Sequence, residues 1–182
     1  MDQDSPPPLT AARPPETREG LLARMEAAGI GTRTVGHAAH FTAADGREVR
    51  ATMPGAHSKN LFLKLRNPGP APFLLLVLEQ GRQVSVNAMT RLLGAGRGQF
   101  AEPHEMFAEL GLWPGTVTPF ALVNTLPGRV RVAIDRNLAE AGTAWFHPLT
   151  NTASTGIAPA DLLRFLGDLG HAPEVFDPAA TA

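Results

Sequence analysis

Apolar residues recur along the chain at two spacings, and the switches between them lay out the expected elements. Leu21, Leu22, Met25 and Ala28 share one helical stripe, which predicts a helix over 18–28, capped by Thr17 and ended by Gly29. Residues 32–37 alternate weakly and predict a first strand; 41–45 read as a short capped turn closed by Gly46, and 47–52 as extended chain. Pro54-Gly55 is turn chemistry, and Leu61, Phe62, Leu63 and Leu65 then run as a strand over 61–66. A neighbouring strand is expected over 73–79, beyond the proline-rich loop 67–72, which cannot continue a ladder.

Further along, 84–86 predict a short strand, Asn87 a cap for a helix over 88–93, and Gly94, Gly96 and Gly98 a flexible loop. Pro103 opens a helix to residue 110 that Gly111 ends. Residues 112–120 read as a loop in which Thr118 caps and Pro119 begins a helix. A strand over 129–134, a turn capped by Asp135, a short strand ending at Trp145-Phe146 and a loop over 147–156 follow. The last helix runs from Ala158-Pro159 to residue 169 with Leu162, Leu163 and Leu166 inward, and 174–176 form a final edge strand. The pattern is α+β: one central mixed sheet with helices around it.

Composition narrows the functions open to such a domain. The 182 residues suffice for one core, expected over 17–177, with a proline-rich arm at 1–16 and a tail at 178–182. A formal net charge of −1, no basic helix and no interleaving of aromatic with basic residues argue against a DNA-binding protein. With no cysteine, thiol nucleophiles, disulfides and cysteine metal sites are excluded. The longest apolar run, 73–78, is too short for a membrane span, and the acidic, proline-rich N-terminus has no apolar signal core, so a cytoplasmic location is expected.

The candidate chemistry sits in three places. His57, Ser58, Lys59 and Asn60 lie where a turn is expected to feed the strand, so a rigid element can aim them at a ligand. The chain has only two lysines, Lys59 and Lys64, among 16 basic residues, so a lysine here stands out against arginine as the usual cation. Around Gly115, Thr116, Val117, Thr118 and Pro119, backbone N–H groups near a helix start can donate to an anionic oxygen. His147 follows two aromatics and precedes Pro148, which restrains its backbone. For each a bland alternative stands: a solvated turn, a capped loop carrying Trp113, and a satisfied, partly buried histidine. His37, His40 and His57 lack the spacing and the carboxylate of a usual zinc site, and no Gly-x-Ser-x-Gly elbow supports Ser58 with His57 as a hydrolase pair.

Three blocks carry a resemblance. Met53-Pro-Gly-Ala-His-Ser-Lys-Asn-Leu-Phe-Leu63, Gly115-Thr-Val-Thr-Pro-Phe120 and His147-Pro-Leu-Thr-Asn-Thr-Ala-Ser-Thr155, in that order, resemble the YbaK/prolyl-tRNA-synthetase-associated editing family. The likeness is greatest to its free-standing alanyl-tRNA(Pro) deacylases, and His37-Ala-Ala-His-Phe-Thr42 resembles the upstream segment. The resemblance implies a compact domain with a partly barrel-like mixed sheet and a metal-free, cofactor-free hydrolase for the ester of a mischarged tRNA. It makes Lys59, Gly115 and His147 catalytic candidates. It makes Asn60, Thr116, Val117, Thr118, Pro119, His57, Ser58, Phe41, Thr42, Asn151 and Thr152 substrate-binding candidates. Thr116 stands where serine is common, Ala121 where glycine is, and Ser154 where threonine is, which bears on pocket size. The implied partners are the tRNA acceptor end and, transiently, prolyl-tRNA synthetase. Editing of cysteinyl- or seryl-tRNA, or a non-catalytic tRNA- or synthetase-binding module, are the alternatives.

Overall fold

The computed structural model describes residues 14–39, 50–66 and 71–181. Its centre is β3, Phe73–Glu79, whose first six residues are all buried because both faces of the strand are covered. On one side β3 pairs antiparallel with β2, Ala56–Leu65, and on the other parallel with β5, Val130–Asp135. Beyond β2 come β6, Ala144–Phe146, then β7, Ala153–Ile157, and β1, Thr32–Gly36; beyond β5 comes β8, Glu174–Phe176. β4, Gly98–Phe100, is an eighth strand, pairing with β2 at Leu63–Leu65. The β6–β2 and β5–β8 pairs are also parallel, so the sheet is mixed as the pattern predicted. It is open, with β1 at one end and β8 at the other, rather than partly barrel-like.

Alternation along β2 sends successive side chains to opposite faces. Phe62 joins Phe73, Leu75 and Val77 in the larger core. That core is closed by α1 (Arg18–Ala27), α3 (Pro103–Leu110), the 3-10 helix Pro119–Asn124 and α5 (Pro159–Asp168). Leu61, Leu63 and Leu65 join Leu74, Leu76 and Leu78 in a smaller core under α2 (Val86–Leu92). The stripe Leu21/Met25, the Thr17 cap and the left-handed Gly111 at the end of α3 all lie where the sequence puts them.

Several expectations are corrected. β2 begins at Ala56, not Leu61, because the Ala56 amide bonds the Thr143 carbonyl (2.9 Å) and His57 registers with Trp145. The polar residues 57–60 therefore lie within a strand rather than in a turn before it. Arg50 and Ala51 are helical and lead into a turn, with the Met53 amide on the Arg50 carbonyl (2.9 Å), so this part of 47–52 is not extended chain. Val86 starts α2 instead of ending a strand. Gly98 is in β4, not a loop; its lack of a side chain leaves room for Thr90, whose Cγ2 would lie 3.0 Å from an added Cβ. Residues 153–157 are the fully buried strand β7, hidden in the sequence because Ala, Ser, Thr and Gly carry no apolar alternation. The expected turn at 41–45 lies outside the described residues.

Candidate functional site

Two short pairings on one edge of β2 leave a notch in the sheet. β6 pairs with β2 only at Ala56 and His57, and β4 joins the same edge only at Leu63–Leu65. Among the described residues, the stretch Ser58–Leu61 has no strand on that side. At about 3.3 Å per residue the notch is about 13 Å long. A sheet edge left open next to a packed core offers a ligand both backbone groups and rigidly held side chains.

Asn60 ties the notch to the second block. Its Nδ2 donates to the Val117 carbonyl (2.9 Å) and, more weakly, to Ser58 Oγ (3.4 Å). Its Oδ1 is buried and accepts no hydrogen bond from the described residues. The loop from Trp113 to Pro119 is held from within: the Thr116 amide (3.2 Å) and its Oγ1 (2.7 Å) both donate to the Trp113 carbonyl. Gly115 sits at φ 90°, a conformation that favours glycine, and its α-carbon faces open space. Thr118 is fully buried, its hydroxyl accepting from the Phe120 amide (3.3 Å) as the cap of the 3-10 helix that Pro119 begins. Thr118 and Pro119 thus shape the loop, while Gly115 and Thr116 form its more open rim.

Phe120 of the second block packs edge-on at 5.6 Å against Phe146, the last residue of β6 and the one before the third block. His147 Nδ1 lies 3.1 Å from the Ala153 carbonyl. A carbonyl only accepts, so Nδ1 carries the proton and Nε2 is the acceptor in the neutral ring. The same logic applies to His37, whose Nδ1 donates to the Ala38 carbonyl (2.8 Å) and whose Nε2 accepts from Ser154 Oγ (2.9 Å). The two imidazoles stand 6.2 Å apart, centre to centre. Between them the 147–152 turn carries Leu149 at φ 62°, an unfavourable backbone for a leucine, held there by packing of its side chain on the larger core. Thr152 gives its carbonyl to the His37 amide (2.9 Å), and its hydroxyl pairs with that of Thr150 (2.9 Å); Asn151 is partly buried beside it.

Lys59 and Asn60 do not share a face. Alternation puts Lys59 with Leu61 and Leu78 over the smaller core, and its ammonium donates to the Arg82 carbonyl. His57, on the Lys59 face, stacks on Trp145 at 6.2 Å and is bonded through Nε2 to the Met53 carbonyl (2.9 Å). Its burial, together with the nearby Arg50 charge, holds its pKa below the usual histidine value, with the Met53 bond and Glu79 acting the other way. Ser58 donates to the Trp145 carbonyl (3.0 Å). His57 and Ser58 therefore clamp β2 to β6. Phe41, Thr42 and His40 lie outside the described residues. Among the described residues no three His, Asp or Glu side chains are grouped to hold a metal ion.

Sequence reasoning missed the Arg82 carbonyl as the partner of Lys59 and Asp135 as the partner of the Arg82 guanidinium. Asp135 reads in sequence as a cap, which it is, for α4 (Arg136–Ala139), with its Oδ1 on the Asn137 amide (3.0 Å). Nothing local marks its bond to Arg82, 53 residues away.

The family model for the aminoacyl-tRNA editing domain matches residues 37–165, which include all three blocks. The chain belongs to this family. A bovine relative (Bos taurus), named prolyl-tRNA synthetase associated domain-containing protein 1, is 34% identical over 89% of this chain and 95% of its own length. The prolyl-tRNA editing protein ProX of Acetoanaerobium sticklandii is 22% identical over 86% of this chain and 94% of its own. A solved structure put forward as a trans-editing enzyme for prolyl tRNA synthetase shares the editing-domain fold. Its TM-score is 0.65, with 21% identity, and the likeness covers 88% of this chain and 94% of that one.

Proposed function

We propose that this editing domain is a deacylase that hydrolyses the ester of mischarged tRNA(Pro), alanyl-tRNA(Pro) above all. The observation that supports the reading is the tie between the first two blocks, Asn60 on the Val117 carbonyl, with Phe120 of the second packed on Phe146, the residue just before the third. An aminoacyl ester is already activated, so hydrolysis needs a positioned water and a stabilised oxyanion rather than a strong protein nucleophile. Amides of the Gly115–Thr116–Val117 rim supply donors for the carbonyl oxygen or the terminal ribose. Lys59, its ammonium seated on the Arg82 carbonyl by one of its three N–H donors, holds the terminal phosphate or ribose by charge. Asn60 and His147 orient the substrate ends, and the free hydroxyl of the terminal adenosine activates the water.

Selection rests on a pocket that admits alanine and excludes proline. A methylene is worth only about 1–3 kcal/mol by binding alone, so a second, hydrolytic sieve serves where the first falls short. The acceptor end of the tRNA is the partner, with prolyl-tRNA synthetase a transient one, and the cytoplasm is the place of action. Among the described residues no helix is long and apolar enough to cross a membrane.

The test is deacylation of a panel of alanyl-, cysteinyl- and seryl-tRNAs by the wild type and Lys59→Ala. Alanyl-tRNA(Pro) is expected to be cleaved fastest, and the variant to be inactive with an unchanged circular-dichroism spectrum. Full activity of Lys59→Ala removes the role given to Lys59. Binding of tRNA without turnover by the wild type replaces the enzyme with a binding module.

A further inference from the structure

The Lys59 ammonium is held by a backbone carbonyl, and that carbonyl belongs to a turn pinned by a buried ion pair. Arg82 donates from Nε to Asp135 Oδ2 (2.9 Å) and from Nη2 to Oδ1 (3.3 Å). The Asp135 side chain is fully buried, while that of Arg82 is 24% exposed. The same carboxylate accepts the Glu79 amide (3.1 Å) at the end of β3 and the Asn137 amide (3.0 Å) in α4. Four donors thus converge on one buried carboxylate, and between them they fix both ends of the turn 79–82. The Arg82 amide returns to the Glu79 carbonyl (3.0 Å), and the Gln80 amide bonds the His57 carbonyl (2.8 Å), two residues before Lys59.

Two consequences follow for the charge on Lys59. The Asp135 carboxylate is occupied by the Arg82 guanidinium in the stronger, forked pair, and the Glu79 carboxylate within the turn accepts the Gly81 amide (3.2 Å). The Lys59 ammonium donates instead to a neutral acceptor, the Arg82 carbonyl, which restrains its position without an ion pair. Lys64, the other lysine, shows the contrast: its ammonium is paired with the Glu105 carboxylate.

We propose that Arg82 and Asp135 are positioning residues for Lys59: the buried pair holds the Arg82 carbonyl as a seat that locates the ammonium without neutralising it, ready for an anionic substrate group. The proposal rests on the role of Lys59 stated above, and it is tested first by a measurement that does not need turnover. Nitrogen-15-edited NMR of the lysine ammonium groups has two signals to resolve, and Lys64→Gln assigns them. The Lys59 signal is expected to be protected from solvent exchange in the wild type. Arg82→Gln, at a partly exposed side chain, should broaden or shift it while leaving the Lys64 signal in place. Asp135→Asn should do the same; if that variant does not fold, Arg82→Gln decides alone.

In the deacylation assay Arg82→Gln should lower kcat roughly ten- to a hundred-fold, as a misplaced group does, with KM nearly unchanged because the charge is still there. Arg82→Lys, which keeps one charged donor to Asp135, should regain part of the loss. An unchanged Lys59 signal in Arg82→Gln overturns the proposal, and so does an unchanged kcat in an active enzyme. A wild type with no deacylase activity refutes the proposed function, while the NMR comparison still decides the positioning.

Discussion

Replacing Gly55 with alanine tests how β2 is docked. Gly55 has φ 124°, and a Cβ built there lies 2.4 Å from the Thr143 carbonyl oxygen and 3.2 Å from its carbon. That oxygen is also the acceptor for the Ala56 amide at 2.9 Å, the bond that starts the β2–β6 pairing. Neither side of the clash is a flexible side chain, so the backbone itself must move. A non-glycine residue in this part of backbone space costs about 1–3 kcal/mol. Losing the Ala56 bond adds about 0.5–1.5 kcal/mol. The sum, about 1.5–4.5 kcal/mol, is a large share of the roughly 5–15 kcal/mol that stabilises a domain. Gly115→Ala is the control: its φ is 90°, but nothing lies within 4 Å of the added Cβ, so only the backbone strain remains. Urea unfolding followed by circular dichroism should therefore show Gly55→Ala well below the wild type and Gly115→Ala between the two. Equal midpoints for Gly55→Ala and the wild type, with unchanged slope, would refute the steric reasoning.

Other outcomes follow from the same geometry. Asn60→Asp removes the donor to the Val117 carbonyl and sets a negative charge against it. It should cost about 1–3 kcal/mol in urea unfolding and reduce deacylation; wild-type values for both would show that the tie does not matter. The His57 pKa is lowered in the folded state, so below its unfolded value of about 6.5 the unfolded chain takes up the proton more readily. Its contribution to stability is complete above about pH 6.5 and is lost as pH falls toward the folded pKa. His57→Gln should flatten that part of the pH–stability curve, and a curve with the wild-type slope would mean another group is responsible. Deacylation is expected to survive exhaustive chelation; loss of activity restored by zinc would overturn the water-attack mechanism.

Much of the fold was legible in local pattern. The stripe of α1, the apolar run of β3, the Gly111 stop of α3 and the Thr118-Pro119 helix start each follow from a few neighbouring residues. The family was legible too, because its three blocks are contiguous stretches that the chain keeps in order. β7 was not, since Ala, Ser, Thr and Gly become strand residues only when neighbours cover them, and β4, three residues without alternation, is a strand only through its pairing with β2.

The sequence alone determined the family, through its three ordered blocks, and that a strand follows Pro54-Gly55. Only the tertiary structure decided where that strand begins, since the Thr143 carbonyl and Trp145 lie about ninety residues on. It also decided that Lys59 and Asn60, adjacent in the chain, face opposite ways: the two-residue period of a strand separates neighbours as surely as a fold unites distant residues. Asn60 turns to Val117, and Lys59 to the carbonyl of Arg82. These partners are set by sheet register and by a buried ion pair across 53 residues, and no local pattern encodes either.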